Sequence, residues 1–119
     1  MQIEATFDIT GWDEKPIVEW EGGKLTRASV SATYSGGLVG SSVVEYVMSY
    51  APDGSVAYVG MERVSGTTGD LVLRHIGTFD GGAATSDLTV VGGSGDFQGA
   101  AGTGTMVADP AGRITLDLG

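Results

Sequence analysis

Residues 92–102 read GGSGDFQGAAG and separate two strand-like runs. Upstream, Leu88–Val91 is apolar and β-branched, and downstream Thr103–Ala108 alternates again. The glycines supply backbone angles that residues with a Cβ resist, which is typical of a turn between strands. Phe97 is the one large apolar residue of the stretch, and we expect it to lie under the loop and close one end of a core. The pattern predicts an antiparallel hairpin with an anchor.

The same glycines do not match a nucleotide-binding loop. Such a loop needs glycines at fixed offsets between a strand and a helix, and a phosphate cradle also needs a lysine and a hydroxyl. Gln98 stands where the last glycine of that pattern, counted from Gly93, has to fall, and no helical periodicity follows. The stretch is therefore interpreted as a turn.

The composition excludes several classes of site and partner. The chain has 119 residues, one histidine and no cysteine, which predicts a single domain without disulfides, thiolate chemistry, a metal site or a cofactor. Its net charge of −9 repels phosphate backbones and anionic lipids, and we expect neither a nucleic acid nor a membrane as a partner. Without a signal segment or a long apolar run, the expected location is the cytoplasm.

Alternating polar and apolar residues predict eight β-strands joined mostly by short glycine and proline turns. The predicted strands are Gln2–Thr10, Leu25–Ser35, Val43–Ala51, Ser55–Ser65, Leu71–Phe79, Ala83–Val91, Thr103–Ala108 and Arg113–Leu118. The fold class is all-β, and a closed up-and-down antiparallel barrel is favoured over a sandwich because closure removes exposed strand edges. The interior of an eight-stranded barrel is filled by side chains or holds one small ligand.

One connection is longer than the others. Residues 11–24 carry both tryptophans of the chain, Trp12 and Trp20. Long loops on a rigid scaffold often hold binding residues. We interpret this segment as a flap over one mouth of the barrel.

The candidate catalytic residues centre on His75. Alternation in its strand points His75 inward, and a two-residue turn between Gly66 and Gly69 places it opposite Gly60, which leaves space beside the imidazole. On the same face of the neighbouring strand lies Glu62. We predict Glu62 as proton acceptor and His75 as proton donor, with a hydrogen-bonded core histidine as the alternative.

Glu45 is the third candidate, and its orientation depends on the turn at Pro52-Asp53-Gly54. A two-residue turn pairs Glu45 with Glu62, and two adjacent carboxylates form an acid–base pair. A longer turn slips the register by one residue, which turns Glu45 outward and brings Tyr46, Met48 and Tyr50 inward. The sequence leaves both registers open.

Aromatic side chains are the candidate ligand-binding residues, with core packing as the alternative. They are Tyr34, Tyr46, Tyr58 and Phe79 in the strands, together with Trp12 and Trp20 in the predicted flap.

Several motifs resemble known barrels. The glycine-phenylalanine segment at 92–102 is similar to a hairpin of allene oxide cyclases and dirigent proteins. A nearly full-length resemblance, over residues 2–118, is to a family of small bacterial proteins, domain-of-unknown-function family 3224, assigned to the same barrel group. It is carried by the segments Trp12-Asp13-Glu14, Glu45-Tyr46-Val47-Met48, Pro52-Asp53-Gly54-Ser55, Val59-Gly60-Met61-Glu62-Arg63, Leu73-Arg74-His75 and Gly77-Thr78-Phe79-Asp80-Gly81-Gly82.

The resemblance implies an allene-oxide-cyclase-like eight-stranded barrel. Related barrels guide cyclisation or coupling of small unsaturated or polyketide-like molecules, and no catalytic residues are carried over. We therefore expect a barrel that binds a small hydrophobic molecule and acts as a cofactor-independent isomerase or cyclase by confining one conformer. The alternatives are a non-catalytic carrier or sensor, and a structural barrel without ligand that forms a homodimer through an outer apolar patch.

Overall fold

Eight antiparallel strands close into a barrel in the computed structural model, which describes residues 1–119. Each strand pairs with the next, and the last pairs with the first. The closed all-β fold predicted from the sequence is confirmed. The strands are β1 (Gln2–Trp20), β2 (Gly23–Gly36), β3 (Gly40–Tyr50), β4 (Val56–Gly66), β5 (Asp70–Asp80), β6 (Ala83–Gly93), β7 (Gly102–Ala108) and β8 (Gly112–Leu118).

Burial follows the two-residue period of the strands. In β3 the side chains of Ser42, Val44, Tyr46 and Met48 are buried, and those between them are exposed. Inward-facing side chains of this kind form the core of the barrel. No helix in the structure has the length and apolar character of a membrane span.

Strand β1 is much longer than predicted. Residues 11–24 are not an irregular connection: they form the second half of β1, a two-residue turn and the start of β2, with Trp20 opposite Gly23. The segment remains extended because β2 continues to offer backbone partners along its whole length. Pairing of β1 with β8 ends at Phe7, and beyond it the β1–β2 hairpin runs on without β8. Its action as a flap stays a prediction.

A β-bulge changes which residues of β1 face inward. The register of β1 against β2 shifts between Ile9 and Gly11. A Cβ at position 11 would lie 2.5 Å from Ser31 Oγ, and glycine therefore leaves room for the Ser31 hydroxyl beside the bulge. The extra residue moves Trp12 and Glu14 onto the face that carries Phe7 and Ile9.

The two ends of the barrel are built differently. The filled end carries the loops 37–39, 67–69 and 94–101, and the open end carries the loops 51–55, 81–82 and 109–111. Phe97 lies in a short 3₁₀ helix (Gly95–Phe97) of the 94–101 loop and packs, half-buried, against the core. The predicted contact of Phe97 with this end of the core is confirmed, although the side chain is only half-buried. Buried aliphatic side chains occupy the filled end: Ile3, Leu38, Val64, Leu71, Leu116 and Leu118.

Candidate active site

The open end of the barrel contains a cavity of about 280 Å³. Its walls are apolar and aromatic except for three residues, Gly54, Glu62 and His75. A mostly apolar cavity with a few convergent polar groups is the usual form of a small-molecule site. Glu62 and His75 are therefore the chemically distinct part of this cavity.

Adjacent strands bring the two residues together. Gly60 of β4 pairs with His75 of β5, and Glu62 follows Gly60 on the same inward face. Thr67 and Thr68 form a two-residue turn between the strands, as the predicted register requires. His75 Nε2 lies 2.7 Å from Glu62 Oε1, and both side chains are at least 95% buried. The inward placement of both residues is confirmed, while their catalytic role stays a prediction.

Glu62 is held as a carboxylate. Burial by itself raises the pKa of Glu62, but hydrogen bonding and charge from His75, with further hydrogen bonds, bring the pKa below its usual value. The Tyr34 hydroxyl donates to Glu62 Oε2 at 2.8 Å. The Ser42 hydroxyl also lowers this pKa, although it makes no hydrogen bond of normal geometry. Each carboxylate oxygen thus has a donor from the protein.

A chain of hydrogen bonds extends from the far side of the imidazole. His75 Nδ1 lies 3.2 Å from Ser86 Oγ, which lies 2.6 Å from the Tyr58 hydroxyl, and that hydroxyl lies 3.1 Å from the Thr85 carbonyl. With neutral His75, Tyr58 donates to Ser86, and Ser86 donates to Nδ1. With protonated His75, Nδ1 donates to Ser86, Ser86 to Tyr58, and Tyr58 to the Thr85 carbonyl. The chain therefore satisfies the imidazole in either protonation state.

The space expected beside His75 is occupied. The Tyr46 ring lies edge-on to the imidazole with ring centres 5.6 Å apart. A Cβ at Gly60 would lie 2.5 Å from this ring, and the missing side chain makes room for Tyr46 rather than for a ligand. Since both imidazole nitrogens already bond to protein groups, His75 orients Glu62 and offers no free nitrogen to the cavity.

Glu45 faces away from this site. Tyr50 pairs with Val56, which leaves the five-residue connection 51–55 and places Glu45 opposite Met61 on the outer face. There Glu45 is exposed and accepts a hydrogen bond of 2.7 Å from Ser29. Its predicted inward catalytic role is therefore wrong. The longer turn is favoured because Asp53 accepts hydrogen bonds from the backbone and hydroxyl of Ser55.

Most of the predicted aromatic residues line the cavity. Trp20 is the exception: it lies half-exposed at the tip of the β1–β2 hairpin, away from the cavity wall. The structure contains no group of three or more histidine, aspartate or glutamate side chains placed to bind one metal ion. The role of the aromatic residues in binding stays a prediction. Those that line the wall are Trp12, Tyr34, Tyr46, Tyr58 and Phe79.

Glu14 is a site residue that the sequence prediction missed. It accepts hydrogen bonds from Trp12 Nε1 at 3.0 Å, from the Thr26 hydroxyl at 2.7 Å and from the Tyr50 hydroxyl. Burial raises the pKa of Glu14, but these hydrogen bonds bring it below the usual value. Burial and the bond to Glu14 raise the pKa of Tyr50 to about 12. This cluster fixes the Trp12 ring at the cavity mouth.

A sequence signal for Glu14 does exist. Gly11 interrupts an otherwise regular strand pattern, and a glycine inside a strand often marks a bulge. A bulge reverses which residues face inward, which is how Glu14 comes to lie, partly buried, on the same face as Trp12. Ser86 and Ser42 also escaped prediction, because buried serines look like any polar position of a strand.

Known structures share this architecture. A crystal structure of a protein of unknown function from Shewanella oneidensis MR-1, of the DUF3224 family, superposes with a TM-score of 0.77 at 24% identity, covering 100% of this chain and 96% of that one. A pyocyanin demethylase superposes with a TM-score of 0.71 at 14% identity, with 100% of both chains covered. At these identities the likeness shows the fold alone.

Sequence comparison identifies the family. No protein with a curated description matches this chain. A family model matches residues 3–119, which confirms the family predicted from the motifs. The chain therefore belongs to the family described as "Protein of unknown function (DUF3224)".

Proposed function

We propose that this barrel binds a small, mainly apolar molecule in its cavity and shifts a proton on it, as a cofactor-independent isomerase or cyclase. The observation that carries the proposal is the Glu62–His75 pair at the wall of an otherwise apolar cavity. A buried pair of hydrogen-bonded, titratable side chains adds little net stability compared with apolar residues of the same volume. A core selected only for stability has little reason to keep one there.

The size of the cavity limits the ligand. Ligand pockets generally measure roughly 300–1,000 Å³, and the cavity here, at about 280 Å³, is at the lower end of that range. It suits a molecule of about two fused rings, or a short unsaturated chain folded to that size. Apolar walls favour such a molecule by removing it from water, and confinement selects one reactive conformer.

The proposed chemistry needs no oxidant or reductant. Glu62 removes a proton from a carbon next to a carbonyl, and the electron pair of that C–H bond forms a C=C bond while the carbonyl oxygen gains the negative charge. When the ligand has a C=C bond one carbon further from the carbonyl, return of the proton from Glu62 to the far carbon of that bond shifts the double bond and leaves the atom count unchanged. His75 and Tyr34 orient the carboxylate through their hydrogen bonds.

The fold comparison gives limited support. One structural neighbour is, by its name, a demethylase of pyocyanin, and a barrel of this shape therefore serves there as an enzyme acting on a small molecule. At 14% identity its substrate and reaction do not transfer to this chain.

The proposal is tested with 2-tetralone, a two-ring ketone, in heavy water. Proton NMR follows the replacement of hydrogen by deuterium next to the carbonyl. The wild-type protein is expected to exceed the buffer rate, and Glu62→Gln to lose roughly 100-fold or more of that acceleration, the usual contribution of a general base. No acceleration, or full acceleration by Glu62→Gln, contradicts the proposal.

A matched control is available on the next strand. Glu45→Gln removes the same carboxylate from the outer face of β3, next to the strand position that pairs with Glu62. We expect it to exchange the ketone protons at the wild-type rate. A loss as large as that of Glu62→Gln points instead to a general effect of charge.

A non-catalytic carrier or sensor is the second candidate. It is favoured by the low pKa of Glu62, because a weakly basic carboxylate with a protein hydrogen bond on each oxygen is a poor proton acceptor. This candidate predicts that 2-tetralone changes the fluorescence of Trp12, that Glu62→Gln still binds, and that no deuterium enters the ketone.

A further inference from the structure

Tyr46 carries a hydroxyl that the protein leaves without a partner. The side chain lines the cavity and is about nine-tenths buried. Its ring is held between the imidazole of His75 and the ring of Tyr58, whose centre is 5.0 Å away at an angle of 77°. The ring orientation is therefore fixed by packing, while the hydroxyl makes no hydrogen bond.

Every other hydrogen-bond donor on the cavity wall is already used. The indole of Trp12 and the hydroxyl of Tyr50 donate to Glu14, and the hydroxyl of Tyr34 donates to Glu62. Tyr58 is bonded to Ser86 and to a backbone carbonyl. Ser42 also has an unpaired hydroxyl, but Ser42 does not line the cavity. The cavity thus presents one free donor.

The charge of the surroundings fixes the form of this donor. Burial, followed by the negative charge of Glu62, raises the pKa of Tyr46 far above its usual value. Tyr46 consequently remains protonated throughout the physiological range and offers an O–H group. The same carboxylate repels a ligand anion, which leaves a neutral acceptor as the suitable partner.

We infer that the ligand of this cavity is a neutral, mainly apolar molecule with one carbonyl oxygen that accepts a hydrogen bond from Tyr46. The Tyr46 hydroxyl opens on the cavity rather than on a protein acceptor, and a ligand that supplies an acceptor there gains a hydrogen bond that no protein group already makes. A hydrocarbon of equal shape leaves the hydroxyl unpaired. Tyr46 thereby selects for the carbonyl.

This inference rests on the proposed function and assigns Tyr46 a part in it. Removal of a proton next to the carbonyl places negative charge on the oxygen that Tyr46 contacts. A donor aimed at an oxygen where charge develops stabilises the transition state more than the bound substrate. Tyr46 then faces the oxygen, while Glu62 takes the proton from carbon.

The test compares two ligands that differ by one oxygen. The binding of 2-tetralone and of tetralin is measured by NMR titration of the wild-type protein and of Tyr46→Phe. We expect the wild-type protein to bind the ketone about tenfold more tightly, the ratio that one good hydrogen bond gives. In Tyr46→Phe this preference disappears and the affinity for tetralin is unchanged, which also shows that the variant is folded.

The outcomes separate the two proposals. Equal binding of both ligands by the wild-type protein, or a ketone preference that persists in Tyr46→Phe, overturns the inference and leaves the proposed function in place. Failure of both ligands to bind overturns the proposed function, and the inference with it. A third ligand, 2-naphthoate, is expected to bind at least tenfold more weakly than 2-tetralone, and equal binding contradicts the requirement for a neutral ligand.

Discussion

The filled end and the open end of this barrel use the same backbone with different side chains. At the filled end, Leu71, Val64 and Leu116 are aliphatic and fully buried. At the open end, tyrosine side chains occupy the space that a Cβ of a glycine would fill: Tyr46 contacts Gly60, and Tyr58 contacts Gly77. Small residues such as Ala84 add little volume there. Tyrosine rings placed against glycines, together with small neighbours, leave the centre of the open end empty.

The two ends contribute differently: the filled end supplies most of the folding stability, and the open end supplies the cavity. Interdigitated aliphatic side chains at the filled end supply burial and close packing, which dominate the free energy of folding. The open end gives up part of that packing and gains a cavity. Glu62 and His75 lie where the two ends meet, since Glu62 lines the cavity and pairs with the fully buried Leu73.

The largest expected effect is a loss of packing at the filled end. Leu71→Ala removes a fully buried side chain and is expected to lower the free energy of unfolding by about 2–5 kcal/mol. Ile9→Ala changes an equally large residue at the open end that is already 52% exposed, and we expect a loss of less than about 1 kcal/mol. Urea unfolding measures both values. Equal losses contradict the assignment of stability to the filled end.

Substitution of a small residue by a larger one tests the same difference between the filled end and the open end. Ala5 is buried at the filled end, and Ala5→Leu is expected to destabilise the protein by about 1–3 kcal/mol through overpacking. Ala84→Leu extends into the cavity instead. We expect unchanged stability in urea and a loss of at least tenfold in 2-tetralone affinity. Similar destabilisation by both changes indicates that the open end is packed as tightly as the filled one.

The smallest expected effect is the contribution of Glu62 to the loss of folding stability at low pH. Hydrogen bonds outweigh burial and lower the pKa of Glu62 in the folded state. As the pH falls below about 4.3, the ordinary pKa of a glutamate, Glu62 is therefore protonated in the unfolded chain before it is protonated in the folded protein. The stabilisation is complete above that pH and is lost as the pH falls through the lower folded-state pKa. Glu62→Gln should therefore lose less stability between pH 5 and pH 3 than the wild-type protein.

Urea unfolding at a series of pH values measures this difference. Tyr34→Phe provides a second arm, because it removes one hydrogen bond that keeps the pKa of Glu62 low. Its loss of stability is expected to begin at the same pH as in the wild-type protein, because the unfolded chain sets that point, but to end at a higher pH and to be smaller. Acid profiles that coincide for all three proteins contradict the assignment.

The local pattern of the sequence determined the eight strands and the inward position of the Glu62–His75 pair. A strand alternates its faces with a period of two, and the short turn at 67–68 leaves little freedom in the pairing of β4 with β5. Strand alternation and turn length depend on residues that are close together in the chain, and they can therefore be predicted from the sequence.

Only the tertiary structure decided the orientation of Glu45 and the presence of the cavity, and only it shows that Gly11 lies at a bulge that orients Glu14. A single extra residue, in the 51–55 connection or in the bulge after Ile9, turns every following side chain to the other face. Both alternatives preserve the same alternation, which therefore does not distinguish them. The cavity depends on how side chains from strands distant in sequence share one interior, and the volume that they leave empty is a property of the closed barrel.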